Sequence, residues 1–336
     1  MAFCLSYFRV AKKFYCSVKF LMGLVPLVII ANTFIYVLLF SKPRAKVITL
    51  EEIPDYLVPV PSRTKQNFSK TSVCSVMLKA TPSVLPSPEQ YVSDTVLEKI
   101  RKVNNVEEGG FWKPKDCVSL YKVAIVIPYR ARLTNLKDFL AYMHPFLQKQ
   151  MIEYRIIVVE QTSKRPFNRA KLFNIGFKEA EKIEDNHCYI FHDVDLIPQN
   201  PNNIYACTAL ARHMSANVDI FDYKVPYDQL FGGAVAILKK RFIEVNGFSN
   251  TFFGWGGEDD DFYNRVTKNG SKICRFAPEV SQYIMLSHKK QKPSADRYYF
   301  LLSGKERFDT DGLNSLKYTV LIKEMLHLYT RILVDI

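Results

Sequence analysis

From residue 111 onward, short hydrophobic runs alternate with amphipathic stretches. The runs Val123–Pro128, Arg155–Glu160 and Cys188–Phe191 are rich in β-branched and aromatic residues, which predicts three buried strands. Helices are predicted between them, from Thr134 to about Gln148 and from Asn168 to about Ile183. This alternation predicts an α/β fold with a mostly parallel, twisted sheet, whose ligands bind beyond the carboxyl ends of the strands.

The N-terminal part of the chain contains a long apolar stretch. Phe20–Phe40 has no charged residue, and as a helix it would span roughly 31 Å, about the thickness of a hydrocarbon core. A cleaved signal peptide is the alternative, but its apolar region is shorter and a small-residue cleavage pattern follows it, whereas Ser41-Lys-Pro-Arg follows here. We therefore predict an uncleaved transmembrane anchor.

The flanks of the anchor indicate how the chain is divided. Lys and Arg are nearly balanced across the span, but the triplets at Asn67 and Asn269 are N-glycosylation acceptors, which are used on the lumenal side. Several prolines with Ser, Thr and Lys break up the region after the span, as in a linker. We predict a cytosolic tail (1–19), a signal anchor (20–40), a lumenal stem (41–110) and a catalytic domain (111–336).

Composition and charge narrow the class of protein. Of the 336 residues, 48% are hydrophobic and 24% charged, which excludes a disordered chain. The net charge of +13 suggests nucleic acid at first, but residues 1–50 carry seven basic and no acidic residues, and the remainder carries only +6. The basic excess belongs to the N-terminus, so no nucleic-acid partner is predicted.

Asp193-Val194-Asp195 directly follows the third predicted strand. Two carboxylates separated by one residue point the same way from an extended chain, so they can share a divalent cation such as Mg²⁺ or Mn²⁺. The alternative is a strand end with two solvated acids. A phosphatase of the aspartyl-phosphate type is disfavoured because Leu196 and Ile197 lack a hydroxyl group.

The segment Gly254–Asp261 (GWGGEDDD) is a less common pattern than two aspartates separated by one residue. Four adjacent acids repel one another, and burial of one would raise its pKa and suit it to general-base work. The glycines allow a loop to close over a ligand, and Trp255 offers a face to a sugar ring. The alternative is an acidic turn before a helix that begins near Phe262, where acids favour the helix dipole. His288 by itself is as compatible with a structural histidine as with a ligand.

Five segments, taken together and in order, carry a family resemblance. They are Phe167–Leu172 (FNRAKL), Asp193–Pro198 (DVDLIP), Phe231–Gly233 (FGG), Gly254–Asp261 and Asp311–Leu316 (DGLNSL). Over about residues 111–336 the chain resembles the β-1,4-galactosyltransferase family, and most closely its invertebrate N-acetylgalactosaminyltransferases. The resemblance implies a GT-A-type, Rossmann-like fold and inverting, Mn²⁺-dependent transfer from a UDP-sugar to the 4-hydroxyl of terminal GlcNAc. It also implies a single-pass type II protein of the Golgi membrane with a lumenal catalytic domain, compatible with a membrane protein partner.

The resemblance implies roles for the matched residues. Donor binding is implied for Pro128, Tyr129, Arg130, Arg132, Phe167, Arg169, Asp193, Val194, Leu230 and Trp255. Acceptor binding is implied for Gly257, Glu258, Asp260, Arg297, Tyr298 and Leu301. Asp195, Met285 and His288 match the Mn²⁺ ligands and Asp259 the general base, while Cys74 with Cys117 and Cys188 with Cys207 match disulfides.

Leu230 bears on the choice of donor. Galactose-transferring members of the family carry Tyr directly before Phe-Gly-Gly, and a hydroxyl there would crowd an N-acetyl group. Leucine leaves apolar room for the acetyl methyl, so UDP-GalNAc is the predicted donor and UDP-Gal is the alternative. A purely structural explanation is that Leu230 only packs in the core. A catalytically silent sugar-binding relative is a further alternative, disfavoured because Asp195, His288 and Asp259 are all present.

Overall fold

The structure is a computed structural model that describes residues 45–64, 72–76, 78, 91–289 and 291–336. The predicted anchor at 20–40 and Asn67 lie outside the described residues, as does the side chain of Asn269. Within the described ranges, no helix is both long enough and apolar enough to cross a bilayer.

The described elements alternate between strand and helix through much of the chain. The strands are β1 (Lys46–Ile48), β2 (Phe111–Trp112), β3 (Lys122–Tyr129), β4 (Glu153–Gln161), β5 (Cys188–His192), β6 (Leu196–Pro198), β7 (Arg212–His213), β8 (Asn217–Val218), β9 (Ala234–Leu238), β10 (Cys274–Phe276), β11 (Gln282–Met285), β12 (Thr319–Met325) and β13 (Thr330–Asp335). The α-helices are α1 (Ile53–Tyr56), α2 (Pro61–Thr64), α3 (Asp94–Val103), α4 (Leu133–Gln148), α5 (Arg169–Ile183), α6 (Lys239–Glu244), α7 (Glu258–Val266), α8 (Arg297–Leu302) and α9 (Gly304–Arg307).

A ten-stranded mixed sheet forms the centre of the fold. Its order is β1-β10-β7-β9-β5-β3-β4-β13-β12, with β2 paired to β4, and a second sheet contains β6, β11 and β8. The three predicted strands pair in parallel at the centre, with β3 between β4 and β5. The prediction of a mostly parallel α/β sheet is confirmed there, while antiparallel pairs such as β5 with β9 make the whole sheet mixed.

Hydrophobic cores cover both faces of this sheet. Neighbouring residues of a strand point to opposite faces, so Ile125 joins a cluster that contains Phe139 of α4, while Val126 joins one that contains Phe173 of α5. At Gly176 of α5 an added Cβ would lie 2.1 Å from Cγ1 of Val126, so glycine lets the helix approach the sheet. Asn168 caps α5 by accepting a hydrogen bond from the Lys171 amide at 2.9 Å.

Described residues of the predicted stem pack against this domain. β1 adds a strand to the main sheet by pairing in parallel with β10, and Ile48 and Ile53 are fully buried. The Val92 amide donates to Oδ1 of Asp138 on α4. Burying apolar side chains against the sheet is favourable, which holds these residues against it.

Both expected disulfides are present. Cys74 is bonded to Cys117 and Cys188 to Cys207, with Cα atoms 5.0 and 5.5 Å apart. The first ties residues of the predicted stem to the domain, and the second joins the start of β5 to the segment before β7. Among the described cysteines, Cys274 is free and buried in β10.

Candidate active site

The site begins where β5 ends. Asp193, Val194 and Asp195 form a turn after His192, in which the Leu196 amide donates to the Asp193 carbonyl at 3.4 Å. The expectation of an extended chain with both carboxylates on one side is therefore wrong, because the backbone turns between them. The two acids have different partners, Arg169 for Asp193 and Arg132 for Asp195.

Asp195 is the more buried of the two acids, with 5% of its surface exposed. Its Oδ2 accepts a hydrogen bond from Nη1 of Arg132 at 2.5 Å and lies 3.0 Å from Nδ1 of His288. Burial and the charge of Asp193 raise the pKa of Asp195, and Arg132 and His288 act in the opposite direction. A carboxylate held in this way has a strong requirement for a cation.

The second sheet brings the other predicted metal ligands to Asp195. Met285 pairs with Leu196 across β11 and β6, and the Leu286 amide donates to the Asp195 carbonyl at 2.7 Å. Asp195 and His288 are thus in contact, and Met285 pairs with the residue after Asp195, although these residues are far apart in sequence. Over the described ranges, no three His, Cys, Asp or Glu side chains come together as a metal cluster. One carboxylate oxygen and one imidazole nitrogen are nonetheless donors that suit a divalent ion such as Mn²⁺.

A basic cavity of about 550 Å³ opens beside this pair. It is lined by Arg130, Ala131, Arg132, Leu133, Thr134, Asn135, His288, Lys289, Gln291 and Lys292. Arg130 donates to the Arg165 carbonyl at 2.8 Å, and its guanidinium lies 5.2 Å from the centre of the Phe167 ring. Pro128 and Tyr129, also expected at the donor, are buried in β3 and do not line this cavity. The surplus of positive charge suits an anionic ligand such as a diphosphate.

The acidic segment forms the first turn of α7. Helix formation begins at Glu258 rather than near Phe262, because carboxylates are favourable at a helix N-terminus. Gly254, Gly256 and Gly257 have φ of +85°, +107° and +92°, a region that favours glycine. They shape a loop that presents Trp255, 56% exposed, whose carbonyl accepts from the Ser294 amide. The acidic helix start is therefore observed, and the glycine-rich loop that presents Trp255 directly precedes it.

The four acids of α7 have different surroundings. Burial and the charge of Asp259 raise the pKa of Glu258 to about 7, and burial raises the pKa of Asp259, with Arg169 opposing both. Asp260 accepts a hydrogen bond from the Tyr227 hydroxyl at 3.0 Å. Asp261 is fully buried and forms an ion pair with Arg265 at 2.7 Å, which assigns it to the core of the fold.

Arg169 connects the two acidic regions. Its Nε donates to Oδ1 of Asp193 at 2.5 Å, and its Nη1 lies 3.7 Å from Oε1 of Glu258. Oε2 of Glu258 is buried and has no hydrogen-bond partner among the residues that the structure describes. Arg169 therefore places the acid after β5 next to the first turn of α7.

The segment around Leu230 lies between these acids. Leu230 is half-buried, and its carbonyl accepts from Nη2 of Arg275 at 2.9 Å. At Gly232 an added Cβ would lie 2.5 Å from Oδ2 of Asp259, so the absence of a side chain admits the carboxylate. The Gly233 carbonyl accepts from the Asp193 amide at 3.0 Å.

The predicted acceptor residues on α8 lie at the rim of the Trp255 loop. At Gly256 an added Cβ would lie 2.9 Å from Cδ of Arg297, so α8 starts directly against that loop. The Arg297 guanidinium lies 4.3 Å from the centre of the Tyr298 ring, which is largely exposed, and Leu301 is half-buried.

Sequence reasoning had assigned no role to Tyr227, Lys289 or Lys292. Tyr227 stands three residues before Leu230, and the lysines follow His288 closely, so their proximity to predicted site residues was the available signal. The segment Asp311–Leu316 was one of the five in the family resemblance, but here it supports the fold. Asp311 accepts hydrogen bonds from Ser249 and Asn250, at 2.5 and 2.8 Å.

Comparison with known proteins agrees with this geometry. The family model for the N-terminal region of glycosyl transferase group 7 matches residues 80–208, and that for the N-terminal domain of galactosyltransferase matches residues 212–289. The chain is 43% identical over 282 residues to β-1,4-galactosyltransferase 1 of Bos taurus, covering 83% of this chain and 69% of the relative. It is 40% identical over 294 residues to β-1,4-galactosyltransferase 6 of Rattus norvegicus, covering 84% and 75%.

Two solved structures of a β-1,4-galactosyltransferase resemble this fold. The catalytic domain of Drosophila β-1,4-galactosyltransferase 7 in complex with xylobiose superimposes with a TM-score of 0.54 at 26% identity, covering 64% of this chain and 93% of that one. A variant of that enzyme, complexed with manganese, UDP-Gal and xylobiose, also gives 0.54, at 27% identity and the same coverage. The chain therefore belongs to the β-1,4-galactosyltransferase family and is a hexosyltransferase with a GT-A-like fold.

Proposed function

We propose that the protein transfers a hexose from a UDP-sugar to the 4-hydroxyl of a terminal GlcNAc, with inversion at the anomeric carbon. The observation that carries this proposal is the connection through Arg169, which pairs with Asp193, two residues before the proposed cation ligand Asp195, and lies 3.7 Å from Glu258, a buried acid of raised pKa on α7. An inverting transfer needs one cation site for the leaving diphosphate and one base for the attacking hydroxyl. The two acidic regions provide one of each.

UDP-Gal is the favoured donor. The relatives described above are galactosyltransferases, and the Drosophila neighbour was solved with UDP-Gal. The sequence-based expectation of UDP-GalNAc has no support from these comparisons. It stays a second candidate on one observation, that the half-buried side chain before Phe231-Gly-Gly is Leu230 and carries no hydroxyl group.

Asp195, Met285 and His288 would hold Mn²⁺. The bound ion would offset the negative charge that builds up on the departing diphosphate. Arg130 and Lys289 line the cavity beside these residues and place further positive charge there. Phe167 lies under the Arg130 guanidinium, where it can support the uracil ring.

Asp259 is the proposed general base. Burial raises its pKa, which increases its affinity for the proton that it takes from the acceptor hydroxyl. Asp260, together with Arg297, Tyr298 and Leu301, would hold the GlcNAc. Closure of the loop that carries Trp255 would align the two sugars and exclude water, which otherwise hydrolyses the donor.

The place of the reaction follows from the predicted anchor. We propose that residues 20–40 hold the protein in the Golgi membrane as a single-pass type II protein with a lumenal catalytic domain. The two disulfides support this placement, because such bonds persist in oxidising compartments.

A donor competition tests the proposed function. The full-length chain in detergent is incubated with Mn²⁺, a GlcNAc-terminated acceptor and equimolar UDP-Gal and UDP-GalNAc, and the products are weighed by mass spectrometry. We expect predominant addition of a hexose. Predominant addition of an N-acetylhexosamine would overturn the UDP-Gal assignment, and Leu230→Tyr should then shift the product towards hexose. Absence of both products, in a chain that is folded, would contradict the proposed reaction.

A further inference from the structure

The carboxylate of Asp195 has two partners at one oxygen. Nη1 of Arg132 lies 2.5 Å from Oδ2, and Nδ1 of His288 lies 3.0 Å from the same atom. Because the side chain of Asp195 is 93% buried, this oxygen has little access to solvent that could replace either partner. A buried carboxylate without a cation is costly, so Arg132 stabilises Asp195 in this arrangement.

The same oxygen belongs to the proposed metal site. A divalent ion held by Asp195 and His288 would need the carboxylate to which Arg132 donates. Two cations sharing one carboxylate oxygen repel each other strongly in a site of low dielectric constant. Arg132 and the metal therefore compete for Asp195.

The surroundings of Arg132 offer it a second partner. Its side chain is 30% exposed, so it is free to move on one side, and it lines the basic cavity together with Arg130 and Lys289. A guanidinium is a planar donor that binds phosphate oxygens in pairs. A diphosphate in this cavity would thus accept the hydrogen bonds that Arg132 gives up at Asp195.

We propose that Arg132 is a positioning residue that occupies the cation position on Asp195 and moves to the donor diphosphate when the metal binds. This inference rests on the proposed function, since it assumes that Asp195 and His288 ligate the metal. Its consequence is positive coupling: a diphosphate that holds Arg132 away from Asp195 favours metal binding, and the metal favours diphosphate binding to the same extent.

Arg130 provides a matched control. It lines the same cavity and carries the same charge, but it donates to the Arg165 carbonyl. Removing either arginine reduces the positive charge near the metal by one. A gain in metal affinity that is specific to Arg132 therefore reports competition for Asp195 rather than the general field of the cavity.

The experiment measures Mn²⁺ binding by the full-length chain without UDP, from the loss of the electron paramagnetic resonance signal of the aqueous ion. If Arg132 holds Asp195 in about nine-tenths of the molecules, Arg132→Gln should bind Mn²⁺ about tenfold more tightly than the wild type. Arg130→Gln should change the dissociation constant much less, and Arg132→Met serves as a second uncharged variant if the first does not fold. Equal affinity of the wild type and both Arg132 variants would overturn the inference.

Asp195→Asn separates this inference from the function on which it rests. Loss of Mn²⁺ binding in Asp195→Asn, without a gain in the Arg132 variants, would overturn the competition alone. Undiminished Mn²⁺ binding in Asp195→Asn would overturn the metal assignment and, with it, this inference. Loss in Asp195→Asn and a gain in the Arg132 variants would support both.

Discussion

Asp195 and Asp259 are buried carboxylates of one site, but their neighbours differ. Asp195 is in direct contact with Arg132 and lies 3.0 Å from His288, whereas Asp259 lies against the backbone at Gly232 and beside Glu258. Arg132 carries a positive charge and His288 can bind a cation, so these partners suit Asp195 to be a cation ligand. Burial raises the pKa of both acids, but Asp259 forms no ion pair with a described residue, so its carboxylate is available to take a proton. The same residue type thus takes two roles because of its surroundings.

The largest effect is expected for Asp259→Asn. An amide cannot take a proton from the acceptor hydroxyl, so transfer should fall by about 10³-fold. Binding of UDP and Mn²⁺ should be retained, because Asp259 makes no described contact with Asp195 or His288. Product formation and UDP binding are measured on the same preparation, and near-normal transfer would contradict the role of Asp259.

A somewhat smaller loss is expected for Asp195→Asn. Removing the charged ligand should weaken Mn²⁺ activation by at least about 100-fold. Transfer is measured over a range of Mn²⁺ concentrations, with Asp222→Asn, at an exposed position, as the control. An unchanged Mn²⁺ dependence would show that Asp195 is not the cation ligand.

Glu258→Gln should change how stability depends on pH. Burial raises the pKa of Glu258 from 4.5 to about 7, so the folded protein binds more protons than the unfolded chain between these values. The free energy of unfolding of the wild type should therefore fall, relative to Glu258→Gln, as the pH rises through this window. Between acidic pH and pH values above 7, the difference in the free energy of unfolding between Glu258→Gln and the wild type should change by about 3 kcal/mol.

Thermal unfolding of both proteins between pH 4 and 8 measures this difference. Glu244→Gln, at an exposed position on α6, is the control and should follow the wild type at every pH. A constant difference between Glu258→Gln and the wild type over the whole range would show that Glu258 is not protonated near neutral pH.

The smallest effect is expected for Tyr227→Phe. The lost hydrogen bond to Asp260 contributes about 1 kcal/mol, so the KM for the acceptor should rise about fivefold with little change in kcat. Tyr223→Phe in the same loop is the matched control. A fall in kcat with an unchanged KM would place Asp260 with the base rather than with the acceptor.

The central strands and helices could be predicted from the sequence because their signals are local. The hydrophobic runs at Val123–Pro128 and Cys188–Phe191 lie within β3 and β5, and α5 begins one residue after its predicted start at Asn168. The start of α7 could not be predicted, because repulsion between acids and the helix dipole act in opposite directions there. β1 could not be predicted either, since its three residues are held by pairing with β10, far along the chain.

The candidate site was predictable in its residue types but less so in its geometry. The family resemblance brings Asp195, Met285 and His288 together, and the structure places them at one junction of β6 and β11. The contacts of Arg132 and Arg169 depend on the turn after β5, for which the sequence carries no periodic signal. Arg169 connects the two acidic regions, and Arg132 gives Asp195 a partner of its own.

A titration of Mn²⁺ into the full-length Asp195→Asn and Asp259→Asn variants, followed by electron paramagnetic resonance, tests most directly that the two acids have separate roles. We expect Asp259→Asn to bind Mn²⁺ as the wild type does while transferring sugar about 10³-fold more slowly, and Asp195→Asn to lose binding. Loss of Mn²⁺ binding in Asp259→Asn, or its retention in Asp195→Asn, would contradict the division of roles between these two carboxylates.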